Sequence, residues 1–390
     1  MNLPQKVLYI CERLPHNVRS GQDLRVRSQI LALTEFCDVA VIGLSEFGPS
    51  ISTKIKLWES GKLDSTNYQT KLIESAFRNF SLGINPYQIL YNKNIAFLIR
   101  ETIRNFDPEV IIFSQIHTLI YFDILNIKSS IKVVLDLGES AHSQIVNLKP
   151  INDHLIHQIT FNKWYENLKN YENSILKTIE QVWLSSDIEI SSILKNNSNL
   201  KNLTLVPNSI FVSNSKDISR KINPKKIVFT ANFAYGPNIN AAKLILDEIA
   251  KMASKFDFYI AGSNIPTCVK SAENQNVYAV ENVDSMSEFL SDAFVSIVPL
   301  KEGCGTRLKI LEAFACGVPV ISTEIGAAGL KAIPGRHYIQ ANESENFIDA
   351  FRILQQNSNL YTDVSNNAFK FVQQNYSISR LAEELKALIS

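Results

Sequence analysis

Short runs of uninterrupted apolar, largely β-branched residues recur along the chain, with helical spacing between many of them. Lys6–Ile10, Val39–Gly43, Val110–Phe113, Val133–Asp136, Gln181–Leu184 and Asn202–Val206 form one series. Lys226–Thr230, Phe256–Ala261, Val277–Val280, Val295–Pro299, Pro319–Ser322 and Tyr338–Gln340 form a second. A strand that is apolar at successive positions has both faces covered, which is the condition of a parallel sheet with helices on each side. Helices are predicted from Gly21 to about Phe36 and over Tyr91–Phe106, Phe161–Thr178, Asp187–Lys195, Pro237–Ala253, Ser285–Leu290 and Thr306–Ala315, and two or three more close the chain from Ser344 onward. Residues 53–85 read as polar and irregular. The expected class is α/β, with two doubly wound parallel-sheet (Rossmann-like) domains.

The two series part at Ser209–Pro224, a polar stretch carrying Lys216, Arg220 and Lys221. The expected division is 1–215, 216–375 and a final helical segment, 376–390. In that last helix Leu381, Leu385, Leu388 and Ile389 form one apolar stripe, with Glu383, Glu384 and Lys386 turned away, so it needs a partner surface. It is expected to cross back onto the N-terminal domain. Two such domains facing across a cleft would take ligands beside the carboxyl ends of their strands.

Composition narrows the function. Lys plus Arg is 39 and Asp plus Glu 38, a balance that excludes a strongly basic nucleic-acid binder. The five cysteines, Cys11, Cys37, Cys268, Cys304 and Cys316, are odd in number and lack a Cys-x-x-Cys pair, which argues against a disulfide framework or zinc knuckle and for a reducing compartment. Neither a secretory leader nor an apolar run long enough for a membrane span is visible. The expected localisation is cytoplasmic, with any membrane contact peripheral, at the inner face. No Gly-x-Gly-x-x-Gly follows the first strand, so no dinucleotide cofactor is expected. No Gly-x-Ser-x-Gly elbow occurs. No Asp-x-Asp pair stands ready to hold Mg²⁺ against a diphosphate, so no metal is expected.

The informative stretch is VPLKEGCGTRLKILEAFACGVPVIST, Val298–Thr323. A strand runs into a Gly-x-Gly turn at Gly303 and Gly305, and a helix starts at about Thr306. Free N–H groups at a helix start, approached closely where glycines lack side chains, suit an anion. Arg307 and Lys309 add positive charge. Glu312, placed about two turns into the helix, suits the diol of a ribose.

On these residues the chain resembles the retaining glycosyltransferases of the GT-B fold, group 1 family. Glu312-Ala-Phe-Ala-Cys-Gly317-Val-Pro319-Val-Ile is similar to that family's second glutamate and the segment after it. Thr306–Glu312 resembles a subgroup wording. Phe229-Thr-Ala-Asn-Phe-Ala-Tyr-Gly-Pro-Asn238 resembles the opening of the subgroup's second domain, and Ser185-Ser-Asp187, Val206-Pro-Asn208 and Arg13-Leu-Pro…Ser20-Gly21…Arg25 also fit.

The resemblance implies transfer of a sugar from a nucleotide-sugar donor, with retention, to a glycan, lipid-linked or other acceptor, in a role such as polysaccharide biosynthesis. The second domain would hold the donor and the first the acceptor. By motif position Glu312 would bind ribose, Gly305 and Thr306 would meet the diphosphate, and Asn232 would lie in the diphosphate region. Val280–Val283, with Val283 at its end, would contact the base, and Gly21 would approach the donor's phosphates. Two departures stand out. The family's first glutamate, which meets the donor sugar, falls on Cys304, with Glu302 as a substitute two residues away. The first-domain strand that often ends in a catalytic His or Asp here ends in Gly138, leaving Glu139 or His142 as candidates. The alternatives are a nucleotide-sugar epimerase of the same fold, or a relative that binds nucleotide sugar without turnover. His117 either faces the cleft or is an ordinary hydrogen-bonded histidine. His16, His154, His157 and His337 lack metal spacing and read as surface. Arg13, Arg19, Arg25 and Arg27 read either as ligands for acceptor phosphate or anionic headgroups, or as a solvated face.

Overall fold

The computed structural model describes residues 4–16, 18, 20–45, 48–61, 87, 90–125, 127–140, 155–213, 220–272, 276–281, 283, 285–303 and 307–390. The chain divides into two units. The first comprises Met1–Val18, Gln22–Pro207 and Leu381–Ser390; the second comprises Arg19–Gly21 and Asn208–Arg380.

The first unit is built on a seven-stranded sheet: β1 (Gln5–Arg13), β2 (Cys37–Ser45), β3 (Ile55–Ser60), β4 (Val110–Ser114), β5 (Lys132–Gly138), β6 (Gln181–Leu184) and β7 (Leu203–Leu205), in the order β3-β2-β1-β4-β5-β6-β7. Every pairing is parallel. The central strands are apolar throughout because both faces are covered: Val7, Leu8, Tyr9 and Ile10 are wholly buried, as are Ile111, Ile112 and Phe113. Each such side chain contributes roughly 1.5–3 kcal/mol.

The second unit carries six parallel strands, β8 (Asn223–Asn232), β9 (Asp257–Ser263), β10 (Val277–Glu281), β11 (Ala293–Val298), β12 (Val320–Ser322) and β13 (Ile339–Gln340), in the order β10-β9-β8-β11-β12-β13. In each sheet the strand order reverses once, at β1/β4 in the first and at β8/β11 in the second. The crevice outside the carboxyl ends at such a reversal is where doubly wound sheets take ligands.

Several boundaries differ from the sequence reading. β1 continues through Cys11, Glu12 and Arg13. β3 falls in the stretch read as irregular: Ile-Lys-Leu-Trp-Glu-Ser holds four half-buried residues and exposes Lys56 and Glu59, as befits a strand at a sheet's edge. The helix expected over Pro237–Ala253 is helical over Gly236–Leu244, widens to a π-type turn at Ile245–Ile249, and resumes at Ala250–Met252. The expected linker is in part anchored. Arg220 donates to the carbonyls of Gly317 (2.5 Å) and Cys316 (3.3 Å) and to Tyr361 Oη (3.1 Å), and also to Ala293 O.

The last helix, Ile378–Ile389, buries Leu381, Ala382, Leu385 and Ile389. Gln5 Nε2 donates to Ile389 O at 2.8 Å, and Lys132 Nζ donates to Leu388 O at 2.8 Å. Its residues from Leu381 onward thus belong to the first unit. Among the described residues, no helix is long and apolar enough to cross a membrane.

Candidate functional site

In the second unit the reversal point is lined by the end of β8 on one side and the segment after β11 on the other. β8 and β9 approach closely because Gly262 has no side chain: a Cβ there would lie 1.8 Å from Ala231 O, and its φ is +142°. That approach sets Asn232 beside Asn264. Asn232 Oδ1 accepts from Ala234 N (3.0 Å) and from Asn264 Nδ2 (3.2 Å). Asn232 O accepts from Asn238 Nδ2 at 2.7 Å, and Asn238 Oδ1 accepts from Lys309 Nζ at 2.8 Å. The Lys309 ammonium also stands 4.7 Å from the centre of the Phe229 ring, a favourable cation–π placement. One chain of contacts therefore runs from β9 through β8 to the helix after β11.

That helix spans Leu308–Ala315, with Arg307 at its N-cap and no side-chain cap. The first N–H groups of any helix lack an intrahelical partner. Before it, Gly303 takes φ +106°, and a Cβ there would lie 2.9 Å from Tyr235 Oη, so the turn needs glycine. Arg307 is buried. Its Nη2 donates to Gly303 O (2.7 Å) and Ile325 O (3.2 Å), so the guanidinium braces the turn. Thr323 caps the short helix Glu324–Ala327, its Oγ1 accepting from Gly326 N at 2.8 Å and donating to Leu300 O at 2.5 Å.

Glu312 sits about one turn into the helix rather than two, because the helix begins at Leu308 and not at Thr306. It is half-buried, and among the described residues none donates a hydrogen bond to its carboxylate. Burial pushes its pKa up to about 7, partly countered by Lys309. Burial pushes Lys309 down, with Arg307 adding to the shift and Glu312 opposing it. The two groups are a half-buried acid–base pair whose charges favour each other.

Glu302 is exposed and accepts from Asn240 Nδ2 at 2.6 Å. It lines a depression of about 390 Å³ with Asp247, Glu248, Pro299 and Lys301. Val283 is half-buried beyond the end of β10. Cys304, Gly305 and Thr306 lie outside the described residues, as do His142, His154 and Arg19. Among the described residues, no three His, Cys, Asp or Glu gather as a metal site.

In the first unit the β1/β4 reversal carries Glu12 and His117, with His117 Nε2 3.6 Å from Glu12 Oε2. His117 is buried, which pushes its pKa down. Gln115, at the end of β4, takes φ 73°, rare for a side chain, and its N–H donates to Asp136 O at 2.8 Å. Gly138 ends β5 with φ +68°, and Glu139 follows it half-buried. Gly21 opens the helix Gly21–Leu33.

The arginine group is not one surface. Arg25 is buried and forms a close pair with Asp136, its Nε donating at 3.0 Å to Oδ1 and 3.1 Å to Oδ2, while Nη1 donates to Val206 O at 2.8 Å. Arg13 pairs with Asp23 at 3.1 Å, and Arg27 donates to His16 O at 3.3 Å. His337, read as surface, is buried: it stacks on Phe371 with centroids 4.5 Å apart, and its Nδ1 accepts from Ile333 N at 2.9 Å. His16 is half-buried, its Nδ1 3.0 Å from Leu14 O. The Asn232–Asn238–Lys309 chain escaped the sequence reading, though both asparagines stand in the Phe229–Asn238 segment quoted above.

Comparison with known proteins fits this architecture. Residues 224–357 match the family described as Glycosyl transferases group 1. Over 142 residues the chain is 25% identical to an uncharacterised 44.6 kDa protein in the cps region of Klebsiella pneumoniae. That match covers 36% of this chain and about a third, 33%, of the relative. Among solved structures, sucrose-phosphate synthase from Thermosynechococcus elongatus superposes with a TM-score of 0.73 at 14% identity, covering 98% of both chains. HepE from Anabaena, solved with UDP-glucose, superposes at 0.65 with 10% identity over 99% of both. The fold is therefore GT-B, and the stretch of its second unit over residues 224–357 is similar to group 1 glycosyl transferases.

Proposed function

We propose that the protein is a glycosyltransferase that moves a sugar from a nucleotide-sugar donor to a glycan or lipid-linked acceptor with retention of configuration. The observation that carries this reading is the Glu312–Lys309 pair on the helix at the β8/β11 reversal, inside the segment that matches group 1 glycosyl transferases. Glu312 has no hydrogen-bond donor among the described residues and suits a ribose diol. Lys309 and the helix start suit a diphosphate. HepE's complex with UDP-glucose makes uridine diphosphate sugars the first donors to test.

In this reading, fixed N–H dipoles and Lys309 stabilise the departing diphosphate, and Arg307 holds the turn that aims them. Retention follows from attack on the face the phosphate leaves, with the phosphate taking the acceptor's proton. No step is assigned to a metal, so transfer is expected to persist in EDTA. The test is a thermal-shift panel of UDP, GDP and ADP with their glucose derivatives, since a ligand at a hundred times its Kd stabilises by about 2.7 kcal/mol. Transfer of labelled sugar from the donor so found would then support the reading. A donor that binds and is never consumed would leave a nucleotide-sugar-binding protein, and a panel without any shift would remove the donor site.

A further inference from the structure

At the carboxyl end of β8 the side-chain amide of Asn232 is held in one orientation. Its outer edge faces Ala234 N at 3.0 Å, and a backbone N–H can only donate, so the atom there is the amide oxygen, Oδ1. Asn264 Nδ2 donates to the same oxygen at 3.2 Å. The backbone carbonyl of Asn232 is engaged as well, by Asn238 Nδ2 at 2.7 Å. What remains is the amide nitrogen. Asn232 is exposed, and among the described residues nothing accepts from its Nδ2. A hydrogen-bond donor of fixed direction therefore stands open at the strand end.

Asn264, which follows β9, is the residue that fixes this direction from outside β8. It is exposed and takes no part in a core, and its bond to Asn232 is the one hydrogen bond its side chain makes among the described residues. Its φ of 59° lies in the left-handed region, which asparagine tolerates better than most side chains. The backbone that carries it is anchored on both sides. Before it, Gly262 lets β9 approach β8, and Phe233 N donates to Ser263 O at 2.9 Å. After it, Ile265 is buried. A firmly held, exposed polar residue thus has Asn232 as its sole side-chain partner.

We propose that Asn264 is a positioning residue of the donor site: it turns the Asn232 amide so that the N–H, and not the oxygen, meets a diphosphate oxygen of the nucleotide. This rests on the reading of the second unit as a nucleotide-sugar site. The surrounding chemistry selects an anion. The Lys309 ammonium stands two hydrogen bonds from Asn232, through Asn238, so a directed N–H and a cation share one strand end. An amide oxygen turned outward there would repel the group that the ammonium attracts. Asn264 prevents that rotation by donating to the oxygen from the β9 side, where Ala234 N alone would leave the amide a single tether.

The test is a double-mutant cycle on the full chain. It reads the Kd of whichever of UDP, GDP and ADP shifts the melting temperature, beside the Kd of the parent nucleoside. Asn232→Ala should weaken diphosphate binding about tenfold or more, and Asn264→Gly, which keeps the left-handed backbone and removes the amide, about threefold or more. The double variant should bind no worse than Asn232→Ala alone, because Asn264 acts through Asn232. Nucleoside binding should stay at the wild-type value in all three. Each variant is checked by its melting temperature. If Asn264→Gly melts low, Asn264→Asp, which suits the same backbone and can only accept, carries the test; the effect of its added charge is read in the Asn232→Ala background and subtracted. Diphosphate binding unaltered in either single variant would overturn the proposal. So would additive losses, which would mean that Asn264 acts on the ligand independently of Asn232, or an equal loss of nucleoside binding, which would make its role merely structural. If none of the three diphosphates binds the wild-type chain, the donor-site reading itself falls and takes this inference with it.

Discussion

At the residue scale, Glu312 carries the most weight. Removing a charge-assisted hydrogen bond to ribose costs roughly 1.5–3 kcal/mol. Glu312→Ala is therefore expected to weaken nucleoside diphosphate binding about ten- to a hundredfold, measured by calorimetry. An unchanged Kd in a folded variant would place the ribose elsewhere. The same residue sets a pH dependence. Its pKa is raised to about 7 in the fold from an ordinary 4.5, so the folded state holds its proton longer than the unfolded chain. Its contribution is fully present below about pH 4.5 and is lost as pH rises through 7. Lys309 opposes that shift, so a Lys309→Met background isolates it. There, adding Glu312→Gln should stabilise the protein increasingly as pH climbs from 4.5 toward 8, as read by urea melts; a flat difference would show the carboxylate to be well hydrated. Arg25 makes the opposite case. Its guanidinium satisfies Asp136 in a wholly buried site, and Arg25→Met would strand that carboxylate at a cost of about 3–5 kcal/mol. A melting temperature close to that of the wild type would refute that accounting.

At the scale of elements, the sequence made much of this legible, and the misses have physical causes. Strands covered on both faces announce themselves as apolar runs, which is why the central strands of both sheets could be read directly. β3 could not, because Ile55–Ser60 is partly solvated and its Lys56, Glu59 and Ser60 dilute the pattern. The Gly303 turn and the helix after it were visible from the glycines and the following apolar period. The direction of Lys309 was not, since nothing local says that its ammonium reaches Asn238 across the sheet end. Arg25 resembled its surface neighbours because density of charge says nothing of burial; the signal lay in Asp136, a lone carboxylate inside an apolar strand. Gly262 shows how narrowly the β8/β9 approach is set. A Cβ would collide with Ala231 O at 1.8 Å, and φ +142° resists a side chain. Gly262→Ala should destabilise the second unit by at least about 2 kcal/mol and loosen the neighbouring Asn232. Nucleotide binding that survives this variant at full strength would mean that Asn232 does not help form the site.

At the scale of the whole molecule, the chain leaves the first unit at Pro207 and rejoins it at Leu381. Where the two connections pass, Ile210 bridges Ser377 and its N–H donates to Tyr376 O at 2.9 Å. The final helix therefore completes the hydrophobic surface of a unit whose other residues lie more than a hundred and seventy positions away in sequence. Truncation after Tyr376 removes the buried side chains of Leu381, Leu385 and Ile389. At roughly 1.5–3 kcal/mol each, the loss to the first unit is about 5 kcal/mol or more. The tryptophans make this measurable by unit: all three, Trp58, Trp164 and Trp183, fall in the first. In the truncated chain, tryptophan fluorescence should report unfolding at lower urea, while the second unit, which loses only Ser377–Arg380 and keeps the whole stretch 224–357, should still bind nucleoside diphosphate. Loss of that binding with an unshifted tryptophan transition would reverse the assignment and tie the helix to the second unit instead.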